Sequence, residues 1–238
     1  MKIAKKYDIM KEGKKMTEKE LAKMFDHTFL KAYATDNDFI RLCQEAKDMG
    51  VAMVAINSEP VRLCKELLKG TDIHVGAAIS FPLGQTSLDV KLYETKKAID
   101  DGADEIDYVV NIGKVKQGDF AYIQKEMESI VSLCKENDVI SKVIFENCYL
   151  EKEEIKRLAE IAKVVKPDFI KTSTGFGTGG ALIEDVLLMK SIVGDSVKVK
   201  AAGGIRDWEA CQKFIEAGAQ RIGTSCSMDI LKGFKAEQ

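Results

Sequence analysis

Short apolar runs and longer amphipathic stretches alternate along the whole chain. The short runs, most of which contain Val or Ile, predict eight strands, at 24–28, 51–57, 73–80, 105–111, 141–146, 168–172, 197–201 and 220–223. Stretches with helical periodicity predict helices at 36–49, 59–69, 86–101, 119–137, 151–165, 181–193 and 207–217, with a short one near 227–233. Before the first strand, Thr17 and Glu20 form a capping-box pattern that predicts a short helix through Met24.

This order amounts to eight strand–helix pairs, which indicates an α/β fold. A strand, a single helix and a second strand form a parallel crossover, and eight such units favour a closed (β/α)8 TIM barrel. An open doubly wound sheet is the alternative. The 238 residues suit one barrel domain. We expect this domain to span residues 17–238 and to follow a basic N-terminal extension, residues 1–16.

Several predicted strands carry charge on the side that faces the barrel axis. Side chains alternate along a strand, so the apolar set packs against the helices and the other set points inward. The inward-facing charged residues are Asp107 on the fourth strand, Lys142 and Glu146 on the fifth, Lys171 on the sixth, and Lys198 and Lys200 on the seventh. Lys198 stands near the start of its strand and is expected to reach water. Lys171 and Lys200 come just before glycine-bearing loops, where barrel enzymes place their sites.

Two lysines at one end of a barrel indicate amine chemistry. A neighbouring ammonium and the loss of hydration both disfavour protonation of an amine, and the neutral amine attacks a carbonyl to give a Schiff base. Asp107 can serve as the acid–base group. Glycines after the seventh and eighth strands, with Ser225, fall where barrels bind phosphate. The residues predict a Schiff-base lyase acting on a phosphorylated carbonyl compound, and their spacing leaves open whether Lys171 or Lys200 is the nucleophile.

Composition and charge narrow the range of partners and cofactors. The net charge of −2 comes from interspersed acids and bases, which gives no electrostatic case for nucleic-acid or membrane binding. Two histidines and six separated cysteines without a C-x-x-C pair argue against a zinc site, and no metal or other cofactor is expected. We expect a cytoplasmic protein for three reasons. The cysteines are expected to be reduced thiols, no apolar run is long enough to span a membrane, and the sequence shows no secretory-signal pattern.

Residues 175–180 formally match the G-x-G-x-x-G dinucleotide fingerprint. The match lies in the sixth strand–helix unit, and the end of the next strand offers no convincing acidic residue to bind a ribose. A nicotinamide-dependent oxidoreductase is therefore disfavoured.

Six sequence motifs, in order along residues 24–231, resemble those of the deoxyribose-phosphate aldolase family. They are DHTFLK (26–31), FPLG (81–84), ADEID (103–107), KTSTGF (171–176), KAAGGIR (200–206) and RIGTS (221–225). The resemblance implies a class I, metal-independent aldolase. Such an enzyme reversibly cleaves 2-deoxy-D-ribose 5-phosphate to D-glyceraldehyde 3-phosphate and acetaldehyde, so the expected partner is a small sugar phosphate.

The resemblance also implies roles for individual residues. Lys171 forms the Schiff base, Lys200 perturbs the pKa of Lys171, and Asp107 relays protons with a water molecule. Asp26 helps to position the substrate or the lysine network. Further substrate contacts are implied for Thr172, Gly175, Gly203, Gly204 and Ser225, the last four of them to the phosphate. A homodimer or higher homo-oligomer is expected.

The chain departs from the family pattern near its C-terminus. Cys226 replaces a second serine that often follows Ser225; its backbone N–H is still expected to bind phosphate, but more weakly. Residues 232–238 lack the tyrosine that assists proton transfer in some members. A non-catalytic sugar-phosphate-binding barrel and a Schiff-base aldolase with another acceptor are the alternative functions. His27 and His74 are expected to be structural.

Overall fold

Residues 16–237, described by the computed structural model, form a closed barrel of eight parallel strands. The strands follow one another around the barrel in chain order, so the predicted (β/α)8 TIM barrel is confirmed. They are β1 Phe25–Thr28, β2 Met53–Asn57, β3 His74–Ile79, β4 Glu105–Val109, β5 Ile140–Ile144, β6 Phe169–Lys171, β7 Lys198–Ala202 and β8 Arg221–Thr224. The predicted basic extension lies, except for Met16, outside the described residues.

Helices precede, connect and follow the strands. They are α1 Glu18–Ala22, α2 Asp36–Met49, α3 Val61–Leu67, α4 Leu88–Asp100, α5 Ile112–Lys116, α6 Phe120–Glu136, α7 Lys152–Val165, α8 Ile183–Val193, α9 Trp208–Glu216 and α10 Ser227–Ala236. A 3-10 turn, Asn147–Tyr149, follows β5. Within residues 16–237, no helix is long and apolar enough to cross a membrane.

Two helical segments differ from the sequence prediction. The five-residue helix α5 lies between the predicted strand at 105–111 and the predicted helix at 119–137, where the sequence predicts no helix. The Asn111 side chain caps it by accepting a hydrogen bond from the Lys114 amide at 3.1 Å. Because five residues make little more than one turn, no apolar periodicity marks this helix in the sequence. The last helix, α10, continues to Ala236, beyond its predicted end near residue 233.

The main apolar core lies between the strands and the helices. Ile106, Tyr108, Val143 and Ile170 have the outward parity that the sequence predicts for them, and all are fully buried in this core. Burial of a large apolar side chain contributes about 1.5–3 kcal/mol. Packing between the outer faces of the strands and the helices therefore stabilises the barrel. The inner face is left free to carry polar groups.

The strand register sets the height at which the inward-facing charges enter the barrel. Lys171 is paired with Lys200 across β6 and β7, and Lys200 with Arg221 across β7 and β8. Asp107 is paired with Lys142 across β4 and β5. Neighbouring strands lie about 4.8 Å apart. The inward-facing side chains of paired residues therefore leave the backbone close to each other, and both point toward the barrel axis.

The first helix lies at the N-terminal end of the barrel. Its predicted capping box is confirmed: the Thr17 amide donates to the Glu20 carboxylate at 2.8 Å, and the Glu20 amide donates to Thr17 Oγ1 at 3.2 Å. Just after the helix, Lys23 donates to the Val51 carbonyl at 3.2 Å and pairs with Asp72 at 2.8 Å. These contacts fix α1 beside the starts of β2 and β3.

A fully buried ion pair joins α4 to α6 behind β4. Lys91 Nζ lies 2.7 Å from Glu126 Oε1 and donates to the Val109 carbonyl at 2.7 Å. Glu126 Oε2 accepts a hydrogen bond from the Asn111 amide at 3.1 Å. Burial lowers the pKa of Lys91 and raises that of Glu126. The pair thus satisfies two backbone groups at the end of β4, the strand that carries Asp107.

Replacing Lys91 by Met is expected to lower the free energy of unfolding by about 3–5 kcal/mol, because it leaves Glu126 as an unpaired buried charge. Urea unfolding followed by circular dichroism measures the loss. The double variant Lys91→Met/Glu126→Leu removes both charges and is expected to recover part of it.

Lys96→Met is the matched control on the same helix, since it breaks an exposed ion pair with Asp100. It is expected to lower the free energy of unfolding by less than about 1 kcal/mol. Equal losses in Lys91→Met and Lys96→Met would contradict the role of the buried pair.

Candidate active site

Inward-facing charges from six of the strands form one connected network along the barrel axis, with Asp107 at its centre. Lys142 Nζ lies 2.6 Å from Asp107 Oδ1. Lys171 Nζ and Lys200 Nζ lie 2.8 and 2.7 Å from Asp107 Oδ2. All four side chains are buried. The structure thus brings the three predicted catalytic residues, Lys171, Lys200 and Asp107, into direct contact.

The cationic groups of the network differ in how many carboxylates they contact. Lys142 contacts three carboxylates, those of Asp26, Glu105 and Asp107. Lys200 contacts the carboxylates of Asp26 and Asp107. Arg221 contacts the carboxylates of Asp26 and Glu105. Among the described residues, Lys171 contacts the carboxylate of Asp107 alone, and it shares that oxygen atom with Lys200. Lys171 is therefore the cation that the network stabilises least.

The pKa of Lys171 reflects this position. Burial is the largest cause and lowers the pKa to about 8, from 10.5 for an ordinary lysine. The Asp107 carboxylate opposes the shift, whereas the ammonium groups of Lys200 and Lys142 add to it. At pH 7 a group with this pKa is neutral in roughly a tenth of the molecules. Lys171 can thus act as a nucleophile near neutral pH.

The pKa of Asp107 shifts in the direction that keeps the carboxylate ionised. Burial alone would raise this pKa, but the ammonium groups of Lys142, Lys171 and Lys200 outweigh burial and lower it well below the usual value. Asp107 is therefore ionised, and it faces the Lys171 amine as an acceptor rather than a donor of protons.

The network extends toward the N-terminal end of the barrel through groups that the sequence analysis did not assign to the site. Glu105 is buried and contacts Lys142, Arg221 and His74, with 2.8 Å between Glu105 Oε1 and His74 Nδ1. The hydrogen bond that Glu105 accepts from His74 raises the pKa of this half-exposed histidine. Glu105 stands two residues before Asp107 on the same strand, so its side chain faces the same side of the sheet. The alternation that places Asp107 inward therefore also predicts an inward-facing Glu105.

Asp26, on β1, lies within the lysine network. Its carboxylate contacts Lys200 and Arg221, and Lys142 Nζ lies 3.9 Å from Oδ2. The next residue, His27, points the other way and bonds to α2 and α10. Because Asp26 is fully buried beneath the lysines, its position suits holding the network rather than contacting a substrate.

Glycine-rich turns after β6 and β7 meet at the C-terminal end of the barrel. A Cβ atom on Gly180 would lie 2.2 Å from the Gly203 carbonyl oxygen, so this approach requires glycine. The same oxygen accepts a hydrogen bond from the Ala181 amide at 3.1 Å. Gly175, Gly203 and Gly204 have φ angles of 90°, 91° and 81°, a region that other residues rarely adopt. Turns of this kind can present backbone N–H groups to an anion.

The end of β8 adds further polar groups at this face. Ser225 is exposed, and Cys226 occupies the N-cap position of α10, whose N-terminus suits an anion. The Cys226 amide, which was expected to reach phosphate, instead donates to Thr224 Oγ1 at 2.9 Å. Sequence reasoning missed this bond because it depends on the fold of the turn between β8 and α10.

Thr172 follows β6 and is fully buried. Its hydroxyl donates to the Ala202 carbonyl at 3.2 Å and accepts from the Ala202 amide at 3.1 Å. The side chain therefore joins the ends of β6 and β7. This geometry does not support the predicted contact between Thr172 and substrate, because the hydroxyl is already used by the backbone.

Two aromatic rings border the reactive amine. Lys171 Nζ lies 5.8 Å from the centre of the Phe81 ring, and Phe81 packs edge-to-face on Phe176 at 5.7 Å. Phe176 keeps 51% of its surface exposed, at the mouth of the barrel. These rings limit the water around Lys171, in agreement with the lowered pKa.

Known sequences and structures resemble this chain over nearly its whole length. The model of the DeoC/LacD family of aldolases matches residues 20–233. The deoxyribose-phosphate aldolase of Lactobacillus acidophilus is 57% identical over 221 residues, or 93% of each chain. The deoxyribose-phosphate aldolase of Thermococcus gammatolerans is 50% identical over 216 residues, or 90% of this chain and 96% of that one.

Among solved structures, the tetrameric deoxyribose phosphate aldolase of Aeropyrum pernix is 30% identical, with a TM-score of 0.86 over 93% of this chain and 94% of that one. The resemblance seen in the six sequence motifs is thereby confirmed. The chain belongs to the DeoC/LacD family of aldolases.

Proposed function

We propose that the protein is a class I aldolase that reversibly cleaves 2-deoxy-D-ribose 5-phosphate to D-glyceraldehyde 3-phosphate and acetaldehyde. Its family membership and its deoxyribose-phosphate aldolase relatives support this carbon–carbon lyase activity. The observation that carries the mechanism is the buried amine of Lys171, with its lowered pKa and its contact with Asp107.

In the cleavage direction, the neutral amine of Lys171 attacks the C1 aldehyde carbon of the open-chain sugar. The N–C1 bond forms while the carbonyl oxygen takes up a proton, and loss of water from the carbinolamine gives a protonated imine. Asp107 exchanges the protons of these steps through a water molecule. The ammonium of Lys200 keeps the Lys171 amine reactive by disfavouring its protonation.

Carbon–carbon cleavage follows from the electron demand of the protonated imine. The C3 hydroxyl loses its proton, the C2–C3 bond breaks, and its electron pair moves to the nitrogen atom through C1. The aldehyde product is D-glyceraldehyde 3-phosphate, and an enamine stays on Lys171. Protonation of the enamine at C2, followed by hydrolysis, releases acetaldehyde and restores the amine.

The substrate phosphate binds at the glycine-rich turns on the C-terminal face. Gly175, Gly203 and Gly204 contribute backbone N–H groups, and Ser225 contributes its hydroxyl. The left-handed φ angles of the three glycines support this assignment. The bound phosphate holds C1 over Lys171. Contacts at a distance from the reacting atoms thus orient those atoms for the reaction.

We further propose that the protein is a cytoplasmic homo-oligomer. The six cysteines of the sequence all lie within residues 16–237 and are free thiols, which suits a reducing compartment. The tetramer of the Aeropyrum pernix relative supports an assembly of copies of this chain. Size-exclusion chromatography with light scattering measures the number of subunits.

Incubation with acetaldehyde and sodium borohydride is expected to reduce an imine and to leave a stable adduct on Lys171. Peptide mass spectrometry locates the modified residue. Lys171→Met is expected to abolish the adduct and to lower kcat for the cleavage reaction at least about 100-fold, since covalent catalysis is lost.

Lys198→Met is the control for this experiment, because Lys198 lies two residues before Lys200 but is exposed at the start of β7. It is expected to keep both the adduct and the activity. An adduct found on Lys200, or no adduct at all, would overturn the assignment of the nucleophile.

The pH dependence of kcat/KM is expected to shift in opposite directions when each neighbour of Lys171 is altered. Lys200→Leu removes a cation and raises the pKa of Lys171, so the rise in activity moves to higher pH. At pH values below the pKa of Lys171, each unit by which this pKa increases lowers the rate roughly tenfold. Asp107→Asn removes an anion and lowers the pKa, so the rise in activity moves to lower pH.

Asp107→Asn is also expected to lower the maximal rate by about 10²–10⁴-fold, because the acid–base group is lost. Lys200→Leu loses activity at neutral pH and regains part of it at alkaline pH. Profiles that shift in the same direction in both variants would disprove the electrostatic account of Lys171.

A further inference from the structure

Glu146 is a buried carboxylate beside the site that the proposed mechanism does not use. It lies two residues beyond β5 and is only 1% exposed. Its φ of 58° places it in the left-handed region, which is uncommon for a residue other than glycine. Its neighbours Phe145 and Asn147 donate backbone hydrogen bonds to the carbonyls of Lys171 and Thr172, at 3.0 and 2.9 Å. The backbone around Glu146 is therefore fixed against the chain that follows Lys171.

The Glu146 side chain binds the turn that carries the first glycine of the phosphate site. Oε1 accepts a hydrogen bond from the Thr174 amide at 3.0 Å, and Oε2 accepts one from the Thr174 hydroxyl. Thr174 Oγ1 in turn accepts a hydrogen bond from the Phe176 amide at 3.0 Å. Both residues that flank Gly175 are thus connected to one carboxylate.

The same turn passes close over Glu146 three residues later. A Cβ atom on Gly177 would lie 2.5 Å from Cys148 Sγ and 3.3 Å from Glu146 Cδ. Any larger residue at position 177 would force the side chains of Cys148 and Glu146 to shift. The carboxylate and the turn are therefore shaped to each other from Thr174 through Gly177.

Keeping a carboxylate in this place is energetically unfavourable without partners. Burial raises the pKa of Glu146, and the two hydrogen bonds from Thr174 are the main opposing influence. The Lys171 ammonium opposes the shift as well. Since the strong donors to this carboxylate both belong to Thr174, its principal effect is on the conformation of the turn.

We propose that Glu146 is a positioning residue that holds the turn after Lys171 so that the Gly175 amide faces the substrate phosphate. The inference rests on the proposed function, because it concerns the phosphate site of that reaction. Hydrogen bonds to a charged acceptor contribute about twice as much as those between neutral groups. A single carboxylate with two such bonds therefore keeps Gly175 in its left-handed conformation before the substrate arrives.

Steady-state kinetics with 2-deoxyribose 5-phosphate and with unphosphorylated 2-deoxyribose test the proposal. In Glu146→Ala the turn loses both bonds, and kcat/KM for the phosphorylated sugar is expected to fall 10- to 100-fold, mainly through KM. The value for the unphosphorylated sugar is expected to fall less than threefold. Glu146→Gln can accept and donate at the same positions and is expected to restore the preference for the phosphorylated sugar to within about threefold of the wild type.

Thr174→Ser and Thr174→Val form the matched pair on the other side of the contact. The serine keeps the hydroxyl and is expected to behave as the wild type, whereas the valine is expected to reproduce the phosphate-selective loss. The borohydride adduct with acetaldehyde on Lys171, measured in each variant, shows that the barrel and its amine are intact.

A wild-type protein without activity on 2-deoxyribose 5-phosphate would refute the proposed function itself. If the wild type is active, equal losses for the two sugars in Glu146→Ala would refute the role of Glu146. A Glu146→Gln variant as impaired as Glu146→Ala would refute the hydrogen-bonding explanation.

Discussion

The site depends on one buried carboxylate, Asp107, that three ammonium groups share. In a medium with little water, each of these ion contacts is much stronger than it would be at a surface, and each unpaired charge is more unfavourable. Lys142 and Lys200 satisfy this constraint with further carboxylates. Within residues 16–237, the one carboxylate oxygen that Lys171 contacts is Oδ2 of Asp107, which it shares with Lys200. With so little negative charge to compensate, burial lowers the pKa of that one amine to about 8.

The barrel separates the groups that give stability from those that give chemistry. Apolar side chains on the outward faces of the strands are buried against the helices and hold the strands in place. The inward faces carry charge, and buried ion pairs contribute little to stability compared with apolar groups of similar size. The Lys91–Glu126 pair links the two layers, since it fixes the end of β4 from the helix side. A rigid outer layer thus keeps Asp107 where the lysines converge.

The sequence was sufficient for the fold and for the inner wall of the site. The two periodicities predicted every strand of the barrel, and strand parity placed Asp107, Lys171 and Lys200 on one wall. Parity alone did not decide between the lysines, because the decision depends on carboxylates from β1 and β4 that come together only in the closed barrel. Asp26 illustrates this, since its contact with Arg221 joins residues 195 positions apart.

The loops were the least predictable part of the molecule. The glycine pattern at 175–180 also fitted a dinucleotide fingerprint, but it ends in contact with Gly203, and α8 begins only at Ile183. The bonds of Thr172 and Cys226 to neighbouring backbone and side-chain groups likewise follow from how the turns meet, for which no local pattern exists. The left-handed backbone of Glu146 lies between Phe145 and Asn147, whose amides bond to the chain at the end of β6, so it too depends on how two segments meet.

The most direct test of the account is the pKa of the Lys171 amine in the free protein. Titration of 13Cε-labelled lysine followed by NMR, with the Lys171 resonance assigned from Lys171→Arg, measures it. The network of three carboxylates and four cations predicts a midpoint of about 8. A midpoint near the ordinary value of 10.5 would contradict it.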